Sequence, residues 1–238
     1  MDSLFGNRRI SMAALTDFSQ LTTSTKNHLR NVYTCLTLTM LSASAGAFLH
    51  LKGGFIQGGL LSTLVAIGLM VWLAATSHTK ENQTKRVGIL AAFGGAMGLG
   101  LGPVLDFAIQ INPQIIVTAF IATSIIFVCF SVSALYAQRR SYLYLGGFLG
   151  SALTIMLVTS ILNMFFKSFA LFQFHLYAGV AIFCAFVLYD TQLIVERHMN
   201  GDNDYIWHSV DLFLDFINIF RRLIIILGLN ENKNKKKN

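Results

Sequence analysis

Between Asp106 and Arg139 the chain carries no charged residue, and Leu145 to Phe166 repeats the pattern. Runs this long exceed the roughly 20 apolar residues a helix needs to cross the hydrocarbon core of a bilayer. Inside lipid every backbone N–H and C=O must be bonded internally, so only helices and closed barrels can span. These runs are continuous, which selects helices. The whole chain agrees: 54% of its 238 residues are hydrophobic and only 12% charged, with a mean hydropathy of +0.60. That balance excludes an ordinary soluble domain.

Seven segments read as membrane helices, roughly 31–51, 55–75, 87–109, 114–137, 142–166, 169–195 and 205–229. The expected fold is an all-α membrane protein, a seven-helix transmembrane bundle with its polar-striped last helix enclosed by the other six. Short connections leave no room for a soluble domain. The division is an N-terminal segment 1–28, a membrane domain 29–229 and a basic tail 230–238. The first 28 residues are polar, with no apolar stretch before a small-residue cleavage site, so the first helix serves as the insertion signal.

Cys35, Cys129 and Cys184 lie far apart inside apolar runs and read as packing residues, with no metal-ligand spacing. No cofactor is expected. The pI near 9.5 comes from basic residues at helix ends and in the tail, which argues for a lipid bilayer as partner and against nucleic acid.

Arg8, Arg9, Lys26, Arg30, Lys80, Lys85, Arg86, Arg139, Arg140 and Arg197 fall on the N-terminal side, and only Lys52 and Lys167 on the other. The positive-inside rule therefore places the N-terminus in the cytosol. A fully crossing seventh segment puts the lysine-rich tail on the far side, against that rule; a re-entrant one keeps it cytosolic. Lys235 and Lys236 stand four and three from the end, the spacing of a di-lysine retrieval signal of the endoplasmic reticulum. A solvated basic end meeting anionic lipid heads is the alternative.

Within the seventh segment, Trp207, Asp211, Asp215, Asn218 and Arg222 recur at steps of four, four, three and four, one stripe down one helix face. An ionised carboxylate at the centre of a bilayer costs about 2.5 to 3.5 kcal/mol on insertion scales, so the stripe faces protein. Asp190, near the end of the sixth segment, is the partner for Asp215. At 1.5 Å per residue they lie at depths of roughly 7 and 14 Å from the shared loop, within reach of each other after a modest tilt. Two carboxyls in contact in a dry interior share a proton and titrate as a unit. Deprotonated, they form a hard anionic site of the kind Ca²⁺ prefers, weak unless carbonyls or waters complete its shell. The competing reading has Asp190 capping a helix or pairing with Arg197, and Asp211 pairing with Arg222 or His208 at the membrane surface.

Four stretches carry a resemblance: GLGLGPVLDFAI with NP just beyond, SALYAQRRSYLYLGG, VLYDTQLIVE and DYIWHSVDLFLDFINIFRRL. Together they resemble the Bax inhibitor-1 family, and within it the eukaryotic endoplasmic reticulum member. The resemblance implies a seven-helix bundle, a pH-sensitive Ca²⁺ leak with H⁺ as regulator and Ca²⁺ as cargo, and suppression of cell death. It also implies Bcl-2-type partners and a stress-sensor kinase of the unfolded-protein response. The family's paired aspartates match Asp190 and Asp215, the ion and proton site. Where bacterial relatives latch an arginine onto the pair, this chain has His78.

Gly94, Gly98 and Gly102, and again Gly146 and Gly150, follow the small-xxx-small spacing that lets helices approach closely in lipid. Pro103 is expected to end or kink the third helix and Pro113 to open the fourth, with Asp106 at the far mouth, where it is solvated or attracts cations. The enzyme rival is an intramembrane aspartyl protease, which shares a Tyr-Asp and a second aspartate on the next helix. The Gly-x-Gly-Asp stretch is missing here, and both prolines lie far upstream, so no enzyme is expected. A non-transporting scaffold and an H⁺/Ca²⁺ exchanger remain as alternatives.

Overall fold

The computed structural model describes residues 22–52, 58–137 and 141–235. They form eight α-helices and no strand: α1 Thr23–Lys52, α2 Leu60–Ala75, α3 Gln83–Gly100, α4 Gly102–Ile111, α5 Gln114–Tyr136, α6 Leu145–Phe166, α7 Phe169–Met199 and α8 Tyr205–Lys235. Arg8, Arg9, Arg139, Arg140, Lys236 and Lys237, which enter the charge argument, lie outside the described residues.

Four helices are long and apolar enough to cross a membrane, namely α1, α5, α6 and α7, and α3 with α4 makes a fifth if the pair is one span bent by 41°. The protein is thus a multi-pass, all-α membrane protein. The expected third segment is two helices because Pro103, in the first turn of α4, has no N–H to continue the ladder. Pro113 sits at the N-cap of α5, at the opening expected for it. α1 begins at Thr23 and α8 continues to Lys235, so both helices extend into the stretches expected to be polar segment and tail.

Local chemistry sets the turns. Lys167 takes a left-handed φ of 50° to end α6, and the Ser168 hydroxyl accepts the Leu171 N–H at 3.4 Å to start α7. Gly201, at φ 99°, closes the turn after α7.

The close approach expected from glycine spacing is realised on one helix pair. A Cβ at Gly98 would sit 1.9 Å from the Ala43 carbonyl oxygen, and one at Gly94 2.6 Å from that of Thr39, so α3 lies backbone to backbone on α1. Gly102 accommodates the His50 ring and Gly146 the Tyr189 ring. Gly150 faces open space and packs nothing; the second glycine motif therefore contributes one contact position, because only one of its two residues faces α7.

α8 is the most buried helix, with Ile206, Leu212, Phe213, Ile219 and Ile224 at 0% exposure. Its main neighbours are α1, α3, α4, α5 and α7, while α2 leans on α3 and α6 on α7. One end of α8 lies beside α3, where Arg86 grips Asp204, and the other beside α4, where Lys235 Nζ donates to the Ile111 carbonyl at 2.7 Å. The helix is continuous between those ends.

Candidate functional site

The polar stripe of α8 lies along α7, running antiparallel to it. From one end of this seam to the other, Arg197 faces Asp211, Asp190 faces Asp215, and Gly179 and Phe183 face Arg222. Antiparallel neighbours joined by a short loop bring successive turns of each helix together in this order.

Asp190 and Asp215 meet side chain to side chain at hydrogen-bonding reach. Asp215 is 3% exposed, and its Oδ2 has no hydrogen-bond partner. A hydrogen bond between two carboxyls requires a proton on one of them. A pair so placed can hold one proton and one negative charge, or release the proton and become a divalent anion with a free oxygen lone pair. Among the described residues no group of three or more His, Cys, Asp or Glu is arranged to hold a metal ion.

The remaining sequence-derived residues divide around this pair. Asp211 lies one turn away and pairs with Arg197 at 3.6 Å, not with Arg222 or His208. Arg222 donates to the Asn218 carbonyl and side-chain oxygens at 3.0 and 2.8 Å and lies 4.6 Å over the Phe183 ring. Asp106, at the opposite end, pairs with His50 at 3.0 Å while its side chain stays half exposed. His78 contacts Arg86 at 2.7 Å and Asp204 at 3.5 Å, so its partners are at the N-terminal end of α8 and not the aspartate pair.

Two groupings escaped sequence reasoning. Arg86, 2% exposed, forms a two-pronged bond with Asp204. A signal existed for half of it: Asp204 stands three residues before Trp207, the spacing of an N-cap, and its Oδ1 accepts the Trp207 N–H at 3.0 Å. Burial pushes the Asp204 carboxyl up, but the Arg86 and Trp207 hydrogen bonds and the Arg86 charge outweigh it and hold the group below the ordinary carboxylate value. The second grouping brings His28 of α1 onto His198 and His208 of α7 and α8, and the 180 residues between His28 and His208 hide it from any reading of spacing.

A family model described as inhibitor of apoptosis-promoting Bax1 matches residues 25–232. The chain belongs to the Bax inhibitor family. Its similarity to eukaryotic members runs end to end: Bax inhibitor 1 of Bos taurus is 55% identical over 97% of this chain and 98% of its own length. Bax inhibitor 1 of Homo sapiens is 54% identical over 97% of each, and that of Arabidopsis thaliana 39% over 96% of this chain and 92% of its own length. In this Bax inhibitor family member the aspartate seam, the Arg86 clamp and the histidine cluster all lie inside the matched region.

Proposed function

We propose that the protein is a pH-sensitive Ca²⁺ leak of the endoplasmic reticulum membrane that restrains cell death. In this reading α1, α2, α3 with α4, α5, α6, α7 and α8 are seven crossings, the N-terminus is cytosolic, and α8 is the inner helix. Its four charged seam and flank residues, Asp211, Asp215, Arg221 and Arg222, keep it from registering as a span by hydropathy alone.

The observation that carries the reading is the buried contact of Asp190 with Asp215, on which Oδ2 of Asp215 has no partner. Protonated, the pair is a neutral-plus-anion lock between α7 and α8; deprotonated, its two negative charges repel and offer oxygen ligands to a divalent cation. Protons and Ca²⁺ thus compete for one site. With a cytosolic N-terminus, the continuous α8 carries Lys235 to the lumen, where a di-lysine signal is not read. Retention then rests on another feature. The family name of the relatives supports the anti-apoptotic role, and Bcl-2-type proteins and a stress-sensor kinase are the partners proposed with it.

Purified protein in Ca²⁺-loaded liposomes tests this across pH. Asp215→Asn is expected to slow release and remove its pH dependence, and Asp190→Asn to shift the pH midpoint. Normal pH-responsive flux in Asp215→Asn rejects the site. Absence of any wild-type flux favours a scaffold, and protons moving in fixed ratio to Ca²⁺ favour an exchanger.

A further inference from the structure

His28 on α1, His198 on α7 and His208 on α8 converge at the end of the bundle that holds Asp204. His28 Nε2 and His208 Nδ1 are 3.0 Å apart, and both residues are buried, at 5% and 0% exposure. The His198 ring stacks on His28, with centroids 4.2 Å apart and planes 13° from parallel, and its Nε2 lies 3.1 Å from the Ser24 hydroxyl. The His208 Nε2 faces Asp202 at 3.4 Å.

These contacts dictate where the protons sit. With the Asp202 carboxylate 3.4 Å away, Nε2 is the favoured seat of the His208 hydrogen, which leaves Nδ1 bare; His28 then donates Nε2–H to that nitrogen. One added proton is accommodated by a change of tautomer across the bond. A second sets N–H against N–H across the same gap.

The surrounding charges do not absorb it. From the α2–α3 connection and α3 come His78, Lys80 and Arg86; from α7, Arg197; from the α7–α8 connection, Asp202 and Asp204; from α8, Tyr205. Asp204 is already held by Arg86, and Arg197 adds a further positive charge; the half-exposed Asp202, whose Oδ1 accepts the Asp204 N–H at 3.0 Å, is the carboxylate that faces His208. His28 and His198 line an open pocket of about 340 Å³, so solvent protons reach them.

We propose that His28, His198 and His208 form an acid-labile latch that ties the first turns of α1 to α7 and α8 and lets go when a second proton enters the cluster. The latch stands on these contacts alone and is independent of the aspartate pair.

Hydrogen–deuterium exchange on the full chain in nanodiscs, corrected for chemical exchange rate, tests it. Between about pH 7.5 and about pH 4, a window wide enough for buried imidazoles that charge below the ordinary range, protection over residues 23–31 is expected to fall about tenfold in the wild type. In His28→Gln, whose amide still donates to His208 but cannot charge, protection stays level. Unchanged wild-type protection, or an equal loss in His28→Gln, overturns the latch. Histidine-selective ¹⁵N spectra of the wild type provide a reading that needs no variant: an N–H of His28 coupled to a bare Nδ1 of His208 at neutral pH is expected, and its absence overturns the proposal equally.

Discussion

Arg86 Nη1 and Nη2 donate to Asp204 Oδ1 and Oδ2 at 2.9 and 2.6 Å, and the same Asp204 Oδ1 accepts the Trp207 backbone N–H at 3.0 Å. One carboxylate thus joins α3 to the loop that launches α8 and caps α8. Planar guanidinium matches planar carboxylate with two parallel bonds, which a lysine could not do.

Removing Arg86 leaves that carboxylate short of its counter-charge in a largely buried place. Arg86→Met is expected to lower stability by about 3 kcal/mol, since breaking a buried pair from one side costs more than the pair contributes. Asp204→Asn keeps an N-cap oxygen and should cost less. Denaturant midpoints in detergent, compared across the two variants, check the order.

The same clamp predicts a pH dependence. Because Asp204 is held below the ordinary carboxylate value, the unfolded chain takes up a proton there before the folded one does. Its contribution is intact above about pH 4 and is lost as pH falls below that, through the lower folded value. The stability difference between wild type and Arg86→Met should therefore be constant from about pH 7 to about pH 5 and shrink below about pH 4. A constant difference down to about pH 3 would remove Asp204 as the titrating group.

Gly98 and Gly150 separate close packing from mere spacing. A methyl at Gly98 would meet the Ala43 carbonyl oxygen at 1.9 Å, against a backbone that can give only by moving α1 off α3. Gly98→Ala is expected to cost about 1 to 3 kcal/mol. Gly150→Ala meets nothing within 4 Å and should be neutral or slightly stabilising through helix propensity. Thermal midpoints of the two variants, measured side by side, decide it.

Gly179 leaves space for the arginine of the α7–α8 seam. A Cβ there would stand 2.1 Å from Arg222 Nε, so Gly179→Val should drive the guanidinium off the Phe183 ring. The expected loss is about 1 to 2 kcal/mol from the desolvated cation–π contact, with Asp190 and Asp215 still in contact about two to three turns away. A crosslink between cysteines placed at the Asp211 level of both helices would retain its wild-type rate if the seam survives.

The helical class, the multi-pass character and the aspartate stripe followed from sequence because each is a local or periodic property. An uncharged run longer than a bilayer, or acids every third or fourth residue, needs no knowledge of neighbours. Even the antiparallel pairing of Asp190 with Asp215 was within reach, since a short loop leaves adjacent helices few alternatives. Lateral arrangement was another matter. That α3 presses its glycines on α1 and α6 does not press Gly150 on anything is a choice among faces, and every face of an apolar helix is acceptable to lipid. Only packing against specific partners could set Arg86 on Asp204, turn His78 toward that pair, and bring His28 of α1 onto His198 and His208 of α7 and α8. Those contacts are decided by tertiary structure because a buried charge or imidazole is tolerated only where another helix supplies the atom that satisfies it.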